Sequence, residues 1–354
     1  MKSRAWLLPF FALAWGLSAA TSEEIWKVYR RGEAARAAEL GLAALKDKPE
    51  DMELRQVTGR ALVDSEQFAV ALSHLEKVVQ LDTNRSWQSA WALGYAGYAH
   101  FGLGDAEKSR KALEDSLAFK ATRNVISFAQ HGQMLFGFSG VYSNWTAQET
   151  AHFQFHFSSA TPPAGQTNFA ERHEAAFEAI NRFFEAKLPK KIDFFVWGTS
   201  GEAETAGLGT LGFARPEMGI VHSHWRQTTG HEMTHIISRQ ALKPVKVTAL
   251  INEGVAVYFD QTGRNREQTA RAALREAKVE TLSLVALWAQ MRAVDDIVTY
   301  PVAGAVIERL RQQGGDDKLR QLLCDQSIES ARQIYGAVFD GWLRELESDL
   351  LRKE

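Results

Sequence analysis

Two histidines four residues apart, with a glutamate beside the first, are the residues in this chain best suited to do chemistry. His231-Glu232-Met233-Thr234-His235 is followed further on by Asn252-Glu253-Gly254. On an α-helix, residues four apart share a face, with Cβ atoms about 5–6 Å apart. His231 and His235 can therefore aim two imidazoles at one point, two corners of a tetrahedral zinc site. Glu232 then sits beside the metal, where it can take a proton from bound water without ligating. A catalytic zinc wants three protein ligands and one open position, and Glu253 is the natural third. The bland alternative for the same residues is a helix with two satisfied core histidines.

Two elements must position this set. The first is the helix carrying His231 and His235. The second is a buried helix through Ala249-Leu250-Ile251-Asn252-Glu253-Gly254-Val255-Ala256-Val257-Tyr258-Phe259. Lys243, Pro244, Val245 and Lys246 break the run between them and permit an antiparallel return, which would bring Glu253 to the histidines.

H-E-M-T-H followed by L-I-N-E-G-V-A-V-Y-F resembles the gluzincin metallopeptidases, which share the thermolysin-like peptidase MA core. The resemblance implies one zinc per chain held by His231, His235 and Glu253, with Glu232 as general base. The Asn-Glu-Gly-x-Ala phrase is nearer the aminopeptidase-like branch, although the G-A-M-E-N type phrase of the gluzincin aminopeptidases is absent. The resemblance also implies a sheet edge that pairs with an extended substrate, assigned to Met218-Gly219-Ile220. It further implies a Tyr or His that hydrogen-bonds the oxyanion from the helical half beyond the glutamate. Tyr300, before Pro301 and a helix start, is that candidate, with His222 and His224 as the reserve. Tyr258 reads as core.

The rest of the chain sets the frame. With 354 residues, 45% hydrophobic composition and a formal charge of −2, it has room for two domains. The near-neutral charge gives no reason to propose nucleic acid. Met1–Ala20 pairs Lys2 and Arg4 with an apolar run and small residues, so it reads as a secretory signal cleaved after Ala20. No other run is long and apolar enough to span a membrane, and a periplasmic or secreted protein is expected. Cys324 is the only cysteine, so no internal disulfide can form.

Residues 21–125 repeat with a period near 34, resembling tetratricopeptide repeats. Ala37, Ala71 and Ser109 recur in register, and Gly59 and Gly97 fall where paired helices approach closely. Such repeats imply a groove for a protein partner. Residues 126–145 form a connector, read as a packed helix. Residues 146–354 form the metallopeptidase-like domain. There Phe153, Phe155 and Phe157 alternate on one strand face and His152 and His156 on the other, and 191–197 is a buried strand. Pro162, Pro163 and Gly165 mark a loop before a helix over 169–188, and 201–212 is read as a mobile loop. His222 and His224 share a strand face, read as packing or cleft lining. A continuous amphipathic helix is expected over 327–351.

The expected fold class is α+β: a helical repeat domain, then a zincin-like domain with a small mixed sheet, two active-site helices and a helical C-terminal half. The expected function is an exported zinc metallopeptidase acting on peptide or protein substrates. The alternative is a repeat-based assembly factor with a vestigial zincin domain.

Overall fold

The computed structural model describes residues 20–209, 212–291 and 294–352. The expected leader lies outside them, except for Ala20. The fold is mixed α+β, with one five-stranded sheet. The chain divides into two compact units, Met1–His100 with Asp105–Ala129, and Phe101–Gly104 with Gln130–Glu354.

The first unit is built of antiparallel helices: α1 (Ser22–Arg30), α2 (Ala34–Ala44), α3 (Met52–Asp64), α4 (Phe68–Leu81), α5 (Trp87–Gly102), α6 (Ala106–Ala118) and α7 (Arg123–Leu135). The last two residues of α5 and the last six of α7 belong to the second unit. Gly59 and Gly97 are equivalent in space as in sequence. A Cβ on Gly59 would lie 2.7 Å from the Leu75 side chain, and one on Gly97 would lie 2.7 Å from Leu113. Only a bare Cα allows the helices to touch there. The longer turn before α5 is held by Asp82, which accepts from the Ser86 amide and the Ser89 hydroxyl. Within the unit the Arg60 guanidinium stands over Trp91 at 4.2 Å, with Trp26 and Tyr95 each at 5.1 Å.

In the second unit the sheet order is β1 (Thr146–Glu149), β2 (Phe153–Phe157), β3 (Ile192–Trp197), β5 (Ile220–His224), β4 (Phe213–Arg215). The inner three strands are parallel, and β1 and β4 are antiparallel edges. Phe153, Phe155 and Phe157 are wholly buried, as their alternation requires. They pack on α8 (Pro163–Phe184). The opposite face, carrying Phe195, Trp197 and His222, is covered by the connector. Gly137 lies so close to the Phe195 ring that a Cβ would sit 2.5 Å from it. Tyr142 and Trp145 pack on Phe195 and Trp197.

Several local expectations need correction. Pro162 and Pro163 do not sit in a loop; they start α8 as its N-cap and first residue, where a fixed φ suits the first turn. The helix stops at Phe184, four residues early. Glu185 turns left-handed, and the Asn181 side chain bonds the Ala186 backbone in both directions. The stretch read as a mobile loop contains a short helix, α9 (Ser200–Thr205), started by a Thr199/Glu202 capping box. The expected 327–351 helix is two, α15 (Ile328–Tyr335) and α16 (Phe339–Leu351), parted at Gly336 with φ of 78°. That break leaves Val338 exposed rather than buried.

Candidate metal centre

The HEMTH segment opens α10 (His231–Leu242), and the Asn-Glu-Gly segment lies on α11 (Ala249–Phe259). Gly230 caps α10 at φ of 102°, a conformation few residues but glycine adopt. Its Cα also passes close to Asp260, since a Cβ would lie 3.3 Å from that backbone. The return between the helices is pinned from the far end of α14 (Asp296–Cys324). The Val245 amide donates to the Cys324 carbonyl, and the Thr248 amide donates to the Gln326 side chain. These bonds fix where α11 begins, and so fix Glu253.

The structure brings the three expected ligands together. His231 Nε2 is 3.5 Å from Glu253 Oε2, and His235 Nε2 is 3.4 Å from the same oxygen. Charge-assisted hydrogen bonds run shorter, about 2.7–2.9 Å. Ligand atoms about 2.0–2.2 Å from a shared tetrahedral centre lie roughly 3.3–3.5 Å apart. The spacing is compatible with three ligands of one ion as well as with long paired contacts, and the donor set, two imidazoles and a carboxylate, is one zinc accepts. Burial alone would push the Glu253 carboxyl up; hydrogen bonding and charge from His231 and His235 outweigh it and hold the carboxyl well below the usual range. Burial likewise opposes charge on His235, but Glu253 overrides it and raises that imidazole.

Glu232 is 7% exposed and points from the same first turn. Burial, aided by the charge of Glu253, raises its carboxyl against the pull of His231 and His235. That is the direction a general base needs. Tyr300 is brought in by α14, its ring 5.9 Å from the His231 ring and nearly parallel. It does not sit at a helix mouth, as expected, but in the second turn, because Asp295 caps α14 ahead of it and Pro301 is inside the helix. The glycine of Asn-Glu-Gly explains the approach of the two helices. A Cβ on Gly254 would lie 2.6 Å from the Ala303 carbonyl, and one on Gly304 would lie 2.6 Å from Val257. Tyr258 is drawn off, its hydroxyl accepting from Arg311.

The assignment of Met218-Gly219-Ile220 to a free sheet edge is wrong. Ile220 pairs with Asp193 of β3 on one side and Arg215 of β4 on the other, so β5 is interior. Met218 and Gly219 form the hairpin turn, with Gly219 at φ of 62°. Among the described residues the sheet ends in β1 on one side and β4 on the other. His222 is core: its Nδ1 accepts from Trp197 Nε1 at 3.1 Å and its Nε2–H donates to the Leu135 carbonyl at 3.0 Å. His224 accepts from the Arg226 amide. His152 and His156 are half-buried and face Glu174 and Asp193.

Two polar partners escaped the sequence reading. The Asn252 amide lies 3.2 Å from His235 Nδ1 and can present its oxygen when Nε2 is used by a metal. The Gln227 amide lies 3.1 Å from Glu232 Oε1. Asn252 had a signal, its place beside Glu253; Gln227 had none. An open pocket lined by Pro216, His235, Leu242, Asn252 and Val255 adjoins the centre. No protein-family model matches the chain, and no curated protein matches it significantly.

Proposed function

We propose that this chain is an exported zinc metallopeptidase that cleaves peptide or protein substrates. The observation carrying the reading is the set of His231, His235 and Glu253 donor atoms, spaced as ligands of one tetrahedral ion. When bound, zinc would supply Lewis acidity, polarising the scissile carbonyl and acidifying a water. Glu232 takes that proton and returns it to the leaving amine. Tyr300 donates a hydrogen bond to the oxygen on which charge develops. An extended substrate pairs with the outer edge of β4, where the backbone rather than a side chain reads it.

A second reading is a repeat-based assembly factor with a vestigial catalytic unit. It draws on the helical repeats of the first unit, where Arg60 is packed among Trp26, Trp91 and Tyr95. An intact Glu232 weighs against it, since a dead site has no use for a base.

The test is incubation of the purified protein with a mixed peptide library, with and without chelator, read by mass spectrometry. Chelator-sensitive cleavage and one zinc per chain are expected, with zinc strongly reduced in His235→Ala. No cleavage, or unchanged zinc in that variant, would overturn the reading.

A further inference from the structure

Glu232 has two carboxylate oxygens, and only one can face the reacting water. Something must hold the other. We infer that Gln227 is the residue that positions Glu232, a role that rests on the proposed peptidase reading.

The geometry is a short relay. Gln227 Nε2 donates to Glu232 Oε1 at 3.1 Å. Ser223 Oγ–H is shared between Gln227 Oε1 and the His224 carbonyl, each at 3.2 Å. The orientation of the Gln227 amide is forced by chemistry, because an ionised carboxylate accepts only from the NH₂ end. One oxygen of Glu232 is thus tied down, which restricts the swing of the carboxylate and leaves Oε2 outside this bond.

The loop that carries Gln227 is itself fixed. Its amide donates to the His224 carbonyl, and the Trp225 amide donates to Trp197. The Trp225 ring stacks on Phe169 at 5.3 Å. Room for that ring comes from Gly165, where a Cβ would lie 2.4 Å from it. Gly212 closes over the Gln227 amide, since a Cβ there would fall 2.3 Å from both amide heavy atoms. A backbone packed this tightly leaves the side chain little freedom to swing off Glu232.

The choice of an amide is chemically apt. An arginine or lysine at this place would hold the carboxylate equally well. Its charge would also lower the carboxyl pKa and weaken the base. A neutral donor orients Glu232 with far less loss of basicity.

Two measurements on the full chain test this. In the first, the Gln227 side-chain amide protons are followed by NMR without substrate. Slow solvent exchange is expected, accelerated by Glu232→Ala and, less so, by Ser223→Ala. Fast exchange in the parent, or indifference to Glu232→Ala, would overturn the proposal whatever the activity. If no peptide is cleaved but the slow exchange and its loss in Glu232→Ala are seen, the peptidase reading falls and the contact stands without a catalytic role. In the second, kcat, KM and zinc content are compared. Gln227→Met keeps the bulk and loses the donor. It should lower kcat about 10–100-fold, as small misplacements of catalytic groups do, with KM and zinc unchanged. In a Glu232→Gln background the same change should cost nothing more, because both act on one step. Full kcat in Gln227→Met, or an additive loss in the double variant, would overturn the role.

Discussion

His222 is a buried imidazole and His235 one with 11% of its side chain exposed, and they have opposite characters. A neutral imidazole has one donor and one acceptor. His222 spends both, on the Leu135 carbonyl and the Trp197 N–H. Nothing is left over, so the ring acts as a flat polar wedge stacked between Phe195 and Phe213. His235 spends neither so neatly. Its Nε2 faces, at 3.4 Å, a carboxylate oxygen that a second histidine also faces at 3.5 Å. The difference teaches that burial alone says little about a histidine. What sets the HEMTH cluster apart is the convergence of two imidazoles on one carboxylate oxygen.

The contrast breaks most visibly at Glu232. Glu232→Gln keeps the shape of the first turn of α10 and removes its basicity. Peptide hydrolysis should fall about 10²–10⁴-fold while zinc content and melting temperature hold. Wild-type turnover in that variant would put α10 in the same class as β5.

Tyr300 gives a smaller effect on the same side. Tyr300→Phe retains the ring against His231 and deletes the hydroxyl. We expect kcat to drop about 10²–10³-fold with KM and zinc little changed. A phenylalanine variant with full kcat would make the tyrosine mere packing, as His222 is.

Acid titration sharpens the other side. Burial pushes His222 down to about 3 and His173 to about 4, from an ordinary 6.5. The unfolded chain therefore binds more protons than the folded one below pH 6.5. Stability from these two rings is complete above that pH and declines as pH falls from 6.5 towards 4. The slope is about 1.4 kcal/mol per pH unit for each histidine. His222→Gln keeps a donor and an acceptor but cannot titrate in this range, so its melting temperature should decline less steeply with acid. Parallel curves for the two proteins would refute the assignment of His222 as a neutral core ring.

Much of the molecule was legible. Period-two phenylalanines announced β2, and the Lys243–Lys246 break announced the return that brings Glu253 to α10. These features are local, so spacing encodes them. The order of β4 and β5 was not legible from hairpin chemistry, which makes either strand a possible edge. The deciding facts are long-range: β5 pairs with β3, and its first four residues are buried. Gln227 was hidden for a related reason. Its role depends on Gly212, Gly165 and Phe169 holding one loop, and none of them lies at a recognisable spacing from it. Helix breaks are half visible: the doubled glycine Gly314-Gly315, which interrupts α14 at Gly315, stands out in the sequence, and the single Gly336 between α15 and α16 does not. Both break positions use positive φ, at Gly315 and Gly336, but only the doubled glycine stood out.

The connector over the back of the sheet has a consequence for how the unit that carries the HEMTH segment can be inherited or expressed. By sequence the natural cut falls at Thr146, where the first strand starts. By structure that cut would remove Leu135, which accepts from His222, together with Gly137, Tyr142 and Trp145, which roof Phe195 and Trp197. The truncated piece would keep every residue of the HEMTH centre and lose the dry side of the sheet that carries it. A gene fusion or an expression vector that respects only the motif would transmit the His/Glu cluster without its support.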